Sequence, residues 1–247
     1  MSKPSGIHNL TKLTALFLVA ACLPTWAGNK KAPANVIDSG TFDILISGRK
    51  VAAETFEITQ QPEFSVAKGT LKTEDGSKES QSYELQLLPS GNLVKYQWSE
   101  SGANQGQSTV EPQNDFLVQH ITSTTLQKPV EQPYVLPAST VVLDDYFFSQ
   151  RELLLWRYLG TNCAKPSDKG CPMPKTNFGA IVPRQRNSMS VSLEFKGREK
   201  LMLHGKEVEL SRFLMHTESD DWSLWMDDQY KLQRVLVDSD QTEVIRE

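Results

Sequence analysis

Apolar and polar residues alternate with a period of two through most of this chain, and polar turns interrupt the alternation at short intervals. Phe42, Ile44 and Ile46 fall on one side of a strand, and Ala52, Phe56 and Ile58 on one side of the next. Ser47-Gly48-Arg49-Lys50 turns between them. Successive strand residues point to opposite faces, so this is the pattern of an antiparallel sheet with one face buried. A third strand over 64–73 ends in Asp75-Gly76-Ser77-Lys78. Tyr83, Leu85 and Leu87 then alternate up to Pro89-Ser90-Gly91-Asn92, and Val94, Tyr96 and Trp98 alternate back. Strands near 107–112 and 115–122, after a polar turn over 102–107, complete a meander.

The middle of the chain breaks this rhythm. Pro129, Pro133 and Pro137 cannot donate to a central ladder and belong to an edge or a loop. Asp144 or Asp145 can then cap a helix over 146–159, with Phe147, Leu154 and Tyr158 on one side and Gly160 as its stop. Strands resume at 178–182. Met189, Val191, Leu193 and Phe195 alternate next, and Lys196-Gly197-Arg198 turns into 200–204. Gly205-Lys206 turns into 208–215, and 222–226, 231–237 and 242–246 close the chain. The fold class is mainly β: one antiparallel, strongly curved, half-barrel-like sheet with one covering helix near 146–159. Alternation on both sides of the helix without a linker makes 38–247 a single β-rich domain, preceded by a flexible lead over 28–37.

The first 27 residues read as an export signal: Lys3 and Lys12, an apolar run over 13–21, then Thr25-Trp26-Ala27. The run is too short to span a bilayer, which needs about 20 apolar residues. Cleavage after Ala27 gives a periplasmic or secreted protein and discards Cys22. The alternative takes Val19-Ala20-Ala21-Cys22 as a lipobox, with Cys22 as the lipidated first residue of a tethered protein. Leu23–Ala27 makes a poor tether and a good cut, which favours the first.

The charged fraction is 23% and the hydrophobic fraction 38%, enough for a packed core. The formal net charge of -4 comes from mixed signs, with no basic stripe for nucleic acid. Cys163 and Cys171 bracket a Pro- and Gly-containing segment, and an oxidising compartment favours a disulfide between them. Such a clip stabilises by roughly 2–3 kcal/mol in the chain-entropy picture. Their spacing excludes a CxxC redox pair, and zinc would need two more ligands.

Three stretches carry a family likeness: Gly40-Thr-Phe-Asp-Ile-Leu-Ile-Ser-Gly-Arg-Lys-Val51, Ile181-Val182-Pro183, and Trp222-Ser-Leu-Trp-Met-Asp-Asp-Gln-Tyr-Lys-Leu-Gln-Arg234 with Glu243–Glu247. They resemble exported bacterial domains of unknown function, the DUF3108-like or DUF6134-like periplasmic proteins. In that pattern a strand ending in Trp-hydrophobic-Asp turns tightly into a basic-Leu strand, and Tyr230 stands where a glycine is usual. The resemblance implies an antiparallel half-barrel like those of periplasmic lipoprotein carriers, and no activity.

The chain has no Gly-x-Ser-x-Gly, no His-Glu-x-x-His and no Gly-rich phosphate loop. His120, His204 and His216 read as strand residues with no spacing suited to a metal. Asp144-Asp145, Asp220-Asp221 and Asp227-Asp228 lie at turns or a helix start, where Asp is favoured for backbone hydrogen bonds. Neither a metal nor a cofactor is expected. Trp98, Trp156, Trp222, Trp225 and Phe147 form an unusually large apolar load, which either fills the core or lines a groove for an acyl chain. The expected function is a non-enzymatic envelope protein that binds or shields a lipid or other hydrophobic ligand. The alternatives are an assembly factor that holds an envelope protein at a sheet edge, and a hydrolase whose distant residues meet around His204 or His216.

Overall fold

The computed structural model describes residues 35–75, 80–102, 105–162 and 173–247. The export signal, Cys22 and the Cys163–Cys171 segment lie outside them. The strands are β1 (Asn35–Ile46), β2 (Arg49–Gln60), β3 (Ser65–Thr73), β4 (Ser80–Leu87), β5 (Leu93–Ser101), β6 (Gly106–Gln113), β7 (Phe116–Ser123), β8 (Val130–Tyr134) and β9 (Val141–Val142). A single helix, α1 (Ser149–Asn162), follows. Then come β10 (Thr176–Val182), β11 (Asn187–Leu203), β12 (Lys206–His216), β13 (Asp221–Met226), β14 (Leu232–Val237) and β15 (Thr242–Arg246).

These strands form one sheet. Its order runs from β8 back to β1, then from β15 back to β9. Every pairing is antiparallel except β9 with β10. The two halves of the meander are joined where β1 meets β15, with Phe42 opposite Arg246 and Ile44 opposite Val244. The free edges, β8 and β9, are separated by only six residues of chain. Six residues with their flanking bonds reach at most about 25 Å, so the sheet must curl until its edges face each other. It does not close by a ladder, since β9 is two residues long and β8 contains Pro133. Side chains bridge the seam instead: Gln119 Nε2 donates to Pro183 O (2.8 Å) and Gln132 Nε2 to Arg186 O (3.1 Å).

α1 lies inside this curl. Leu154, Leu155, Tyr158 and Leu159 are buried with Phe42, Phe56, Leu85, Phe213 and Leu224 in one apolar core. The helix therefore plugs the barrel-like sheet more than it covers it.

Five local expectations are corrected. The helix spans 149–162, not 146–159, because Tyr146 turns the chain with a φ of 60°. Gly160 lies within it, and in the last turn Thr161 Oγ1 donates back to Arg157 O (2.8 Å) and Asn162 Nδ2 to Tyr158 O (2.9 Å). Lys196-Gly197-Arg198 is not a turn. β11 runs through it with a bulge, and Gly197 (φ 113°) supplies the backbone angle that the bulge needs. His204 is in a tight turn, not a strand, and β1 starts at Asn35, inside the expected lead. The Asp227 turn forms without a glycine. Tyr230 takes a φ of 62°, and Asp227 Oδ1 accepts from Gln229 N (2.8 Å) and Lys231 N (2.9 Å).

Gly160 is exposed, and a methyl group built on it meets nothing within 4 Å. Gly160→Ala should therefore raise stability by about 0.5–1 kcal/mol through helix propensity alone, read as a higher urea midpoint. A lower midpoint would show that the glycine is needed for packing.

Candidate functional site

The strand alternation sends three charged residues into the barrel. Asp38 shares the inward parity of Phe42 and Ile44, Glu54 that of Ala52, Phe56 and Ile58, and Arg246 that of Val244. All three meet the first turn of α1.

A helix begins with N–H groups that have no partner within it. Here Glu54, from β2, takes two of those around the start of α1: its Oε2 accepts from Phe148 N (2.5 Å) and Ser149 N (3.2 Å). Ser149 Oγ also donates to Glu54 Oε1, and Tyr83 OH shares a 2.5 Å hydrogen bond with Ser149 Oγ. Asp144 and Asp145, the expected caps, do not perform this role. The carboxylate sits at the positive end of the helix, where negative charge is favoured. Burial nevertheless pushes its pKa up to about 7, against the lowering effect of the Ser149 and Phe148 hydrogen bonds and the Arg151 charge. β3 passes closely here. A methyl at Gly69 would overlap the Tyr83 ring and crowd Glu54 Oε1 at 3.0 Å, so only glycine fits.

Later in the same first turn, Glu152 Oε2 accepts from Leu232 N (3.0 Å) and Arg246 Nη1 (3.3 Å). Arg246 grips Asp38 with both terminal nitrogens (2.8 and 2.7 Å), and Lys231 Nζ lies 2.9 Å from the same carboxylate. Burial, then the adjacent Asp38 carboxylate, raises the Glu152 pKa. Burial also works to raise Asp38, but hydrogen bonds from Arg246, Glu152 and Lys231 outweigh it and hold that group low. A third buried cluster joins Tyr96 OH to Asp144 Oδ2 (2.6 Å) and Gln150 Oε1 to Asp144 N (2.6 Å). Arg151 donates to the Asp144 carbonyl and lies over the Trp222 ring at 5.0 Å.

A serine bonded to a carboxylate of raised pKa has the ingredients of acid–base chemistry. Both Ser149 and Glu54 are 0% exposed, however, so no substrate reaches them. The three clusters mount the plug in the barrel.

Open space lies further along the helix. A cavity of about 510 Å³ separates α1 from the concave faces of β2 and β4. One stripe of the helix lines it, through Gln150, Leu153, Leu154, Arg157, Gly160 and Thr161, at the three- and four-residue spacing of a helix face. Ile58, Leu85, Leu87, Val141 and Val142 form the opposing wall. At the lip, Ile37 and Leu88 remain 45% and 43% exposed. Trp156 divides this cavity from a smaller one of about 260 Å³ next to Tyr230, and its Nε1 donates to Tyr230 O (2.6 Å).

The five aromatics singled out by sequence do not meet in one groove. Only Trp156 lines the apolar cavity. Phe147 is 0% exposed in the core. Trp222 packs on Phe148 and Arg151. Trp98 lines a separate polar cleft of about 400 Å³ at the seam, beneath Arg184. Trp225 has the opposite strand parity to Leu224 and Met226. It lies on the outer face between Arg212 (5.6 Å) and Arg234 (4.9 Å), with its Nε1 on Glu199 (3.1 Å).

The histidines also stay apart. His120 is exposed near Glu131, and His204 Nε2 bonds the Arg246 carbonyl at 2.8 Å. His216 Nδ1 pairs with Asp221 at 2.7 Å on the outer face. Ser192 is its cross-strand neighbour, but no hydroxyl lies within hydrogen-bond reach of His216 among the described residues. Among those residues no cluster of three or more His, Cys, Asp or Glu could hold a metal ion, and no helix is long and apolar enough to cross a membrane.

No protein-family model matches the chain, and no curated protein does. Among solved structures it is similar to the beta-barrel-like protein of domain of unknown function DUF1849 from Brucella abortus. The TM-score is 0.52 at 6% identity, covering 85% of this chain and 94% of that one. At that identity the likeness shows the fold alone. The chain has a beta-barrel-like fold of the kind found in a domain of unknown function; the narrower likeness to DUF3108-like or DUF6134-like proteins has no family match behind it.

Proposed function

We propose that this protein is an exported envelope domain that holds a hydrophobic ligand between α1 and the concave face of its sheet. The cavity of about 510 Å³ carries this reading. It falls within the roughly 300–1,000 Å³ of small-molecule sites, and like them it is mostly apolar with a few polar groups. Its lip exposes Ile37 and Leu88, which a bound chain would cover. The lining holds no carboxylate and no imidazole among the described residues, which suits binding better than acid–base catalysis. The mounted plug supports the same role. Polar clusters fix the first turn of α1, so the wall of the cavity is rigid and little ordering entropy is lost on binding.

In this reading the export signal is cut after Ala27 and Cys22 leaves with it. The test uses the protein recovered from the export compartment. Its intact mass should correspond to a chain starting at Gly28, whereas an acylated Cys22 would move the cut to the lipobox. The fluorescent apolar probe N-phenyl-1-naphthylamine should then bind saturably at one site. Leu153→Arg, which brings a charge into the cavity from the partly exposed face of α1, should weaken that binding about tenfold or more, because a buried charge without a partner is costly. Absence of saturable binding by the folded protein would refute the cavity reading.

A further inference from the structure

One charged side chain lines the apolar cavity among the described residues, and it has no counter-charge. Arg157 reaches from α1 over the 88–91 hairpin, where Nη1 donates to Gly91 O at 3.0 Å. The ring of Phe178 lies 6.0 Å from its guanidinium carbon. Arg151 and Arg184 spend donors on backbone carbonyls, and four other arginines each have a carboxylate within 4 Å: Arg198 with Asp228, Arg212 with Glu199, Arg234 with Glu243, Arg246 with Asp38. Arg157 has none. A guanidinium carries five N–H donors, and Gly91 O takes one. Partial burial lowers its pKa, with no nearby carboxylate acting to raise it. Two fixed contacts thus hold a half-buried cation at the mouth of an apolar space and leave most of its donors unused.

Resting on the reading above, we propose that the cavity takes a single-chain anionic amphiphile, with its acyl chain along α1 and its carboxylate or phosphate on Arg157. The apolar stripe of Leu153 and Leu154 provides for the chain, and the planar fork of Arg157 suits a two-oxygen anion. The bound anion would also supply the counter-charge that the protein lacks, so chain and head reinforce each other.

Calorimetric titration of the mature protein with dodecanoate, dodecyl phosphate and dodecyltrimethylammonium, each below its micelle concentration, and with dodecanol below its solubility limit, tests this. Both anions should bind at least about tenfold more tightly than dodecanol, as expected for one charge-assisted contact, and the cation more weakly still. Arg157→Gln should close that gap while leaving dodecanol within about twofold, and Arg157→Lys should keep most of it. A lipid headgroup as the natural source predicts that dodecyl phosphate is preferred, and a free fatty acid that dodecanoate is; either supports the proposal. Equal affinity for anion, alcohol and cation in the wild type would overturn the role of Arg157 and leave the apolar cavity standing. So would a gap that survives in a folded Arg157→Gln. Failure of all four to bind would overturn both readings.

Discussion

Arg246→Met should cost roughly 3–5 kcal/mol, because it strips the counter-charge from a buried carboxylate without giving that carboxylate another partner. Asp38 is 2% exposed and Glu152 0%. Arg246 contributes two hydrogen bonds to the first and one to the second. Its guanidinium also lies 5.2 Å from the Phe56 ring and 5.8 Å from the Phe42 ring, so packing is lost with the charge. Lys231 remains, but its side chain is one-third exposed and reaches only one oxygen of Asp38. Set against the 5–15 kcal/mol of a typical domain, the loss is a large share of stability. Chemical denaturation measures it. Asp38→Asn in the Arg246→Met background should recover part of the loss, since the orphaned charge is then gone. A loss below about 1 kcal/mol would mean that water reaches Asp38 and that the cluster is not part of the mount.

Glu54→Ala should be at least as damaging. It leaves Phe148 N, Ser149 N and Ser149 Oγ without their acceptor in the interior, each worth about 1–3 kcal/mol, and opens a void at the start of α1. Because the plug is held here to β2, we expect hydrogen exchange in α1 to rise more than in β11 and β12. Glu54→Gln keeps the shape and one acceptor, so it should be milder, and it isolates the charge. Burial raises Glu54 from an unfolded value of 4.5 to about 7. Across that window the folded protein keeps a proton that the unfolded chain releases, so stability falls as pH rises from about 4.5 to 7. Raised Glu152 extends the fall above that window. Asp38 is lowered and works the other way: its contribution is lost as pH falls below 3.8. Glu54→Gln should flatten the fall between about pH 4.5 and 7 by at most one proton, about 1.4 kcal/mol per pH unit. An unchanged slope would place the titrating group elsewhere.

Much of the frame was readable because strand parity survives any tertiary arrangement. The positions of β2, β4, β5, β13 and β14 follow from alternation and turn residues within a few positions. The single helix follows from its apolar spacing and the prolines before it. The same parity also put Asp38, Glu54 and Arg246 on the inward face, a signal present in the alternation that a search for apolar stripes passes over. Arg151 likewise falls on the helix face of Leu154 and Tyr158. The aromatics misled for the opposite reason. Trp225 is one residue out of phase with Leu224 and Met226, so its bulk went outward to be sandwiched by arginines.

By itself the sequence determined which side chains face inward, since that depends only on the two-residue period and on turns whose residues are neighbours along the chain. Which inward groups meet was decided by the tertiary structure. Glu54 caps a helix that begins 95 residues further on, and Asp38 pairs with an arginine 208 residues away. Those partners come together only because β1 pairs with β15, joining two sheet halves whose edges then curl around α1. The cavity has the same origin. Its helical wall and its strand wall are each legible as an apolar stripe. The space between them, with an unpaired arginine at its mouth, exists only because the plug is mounted at its first turn.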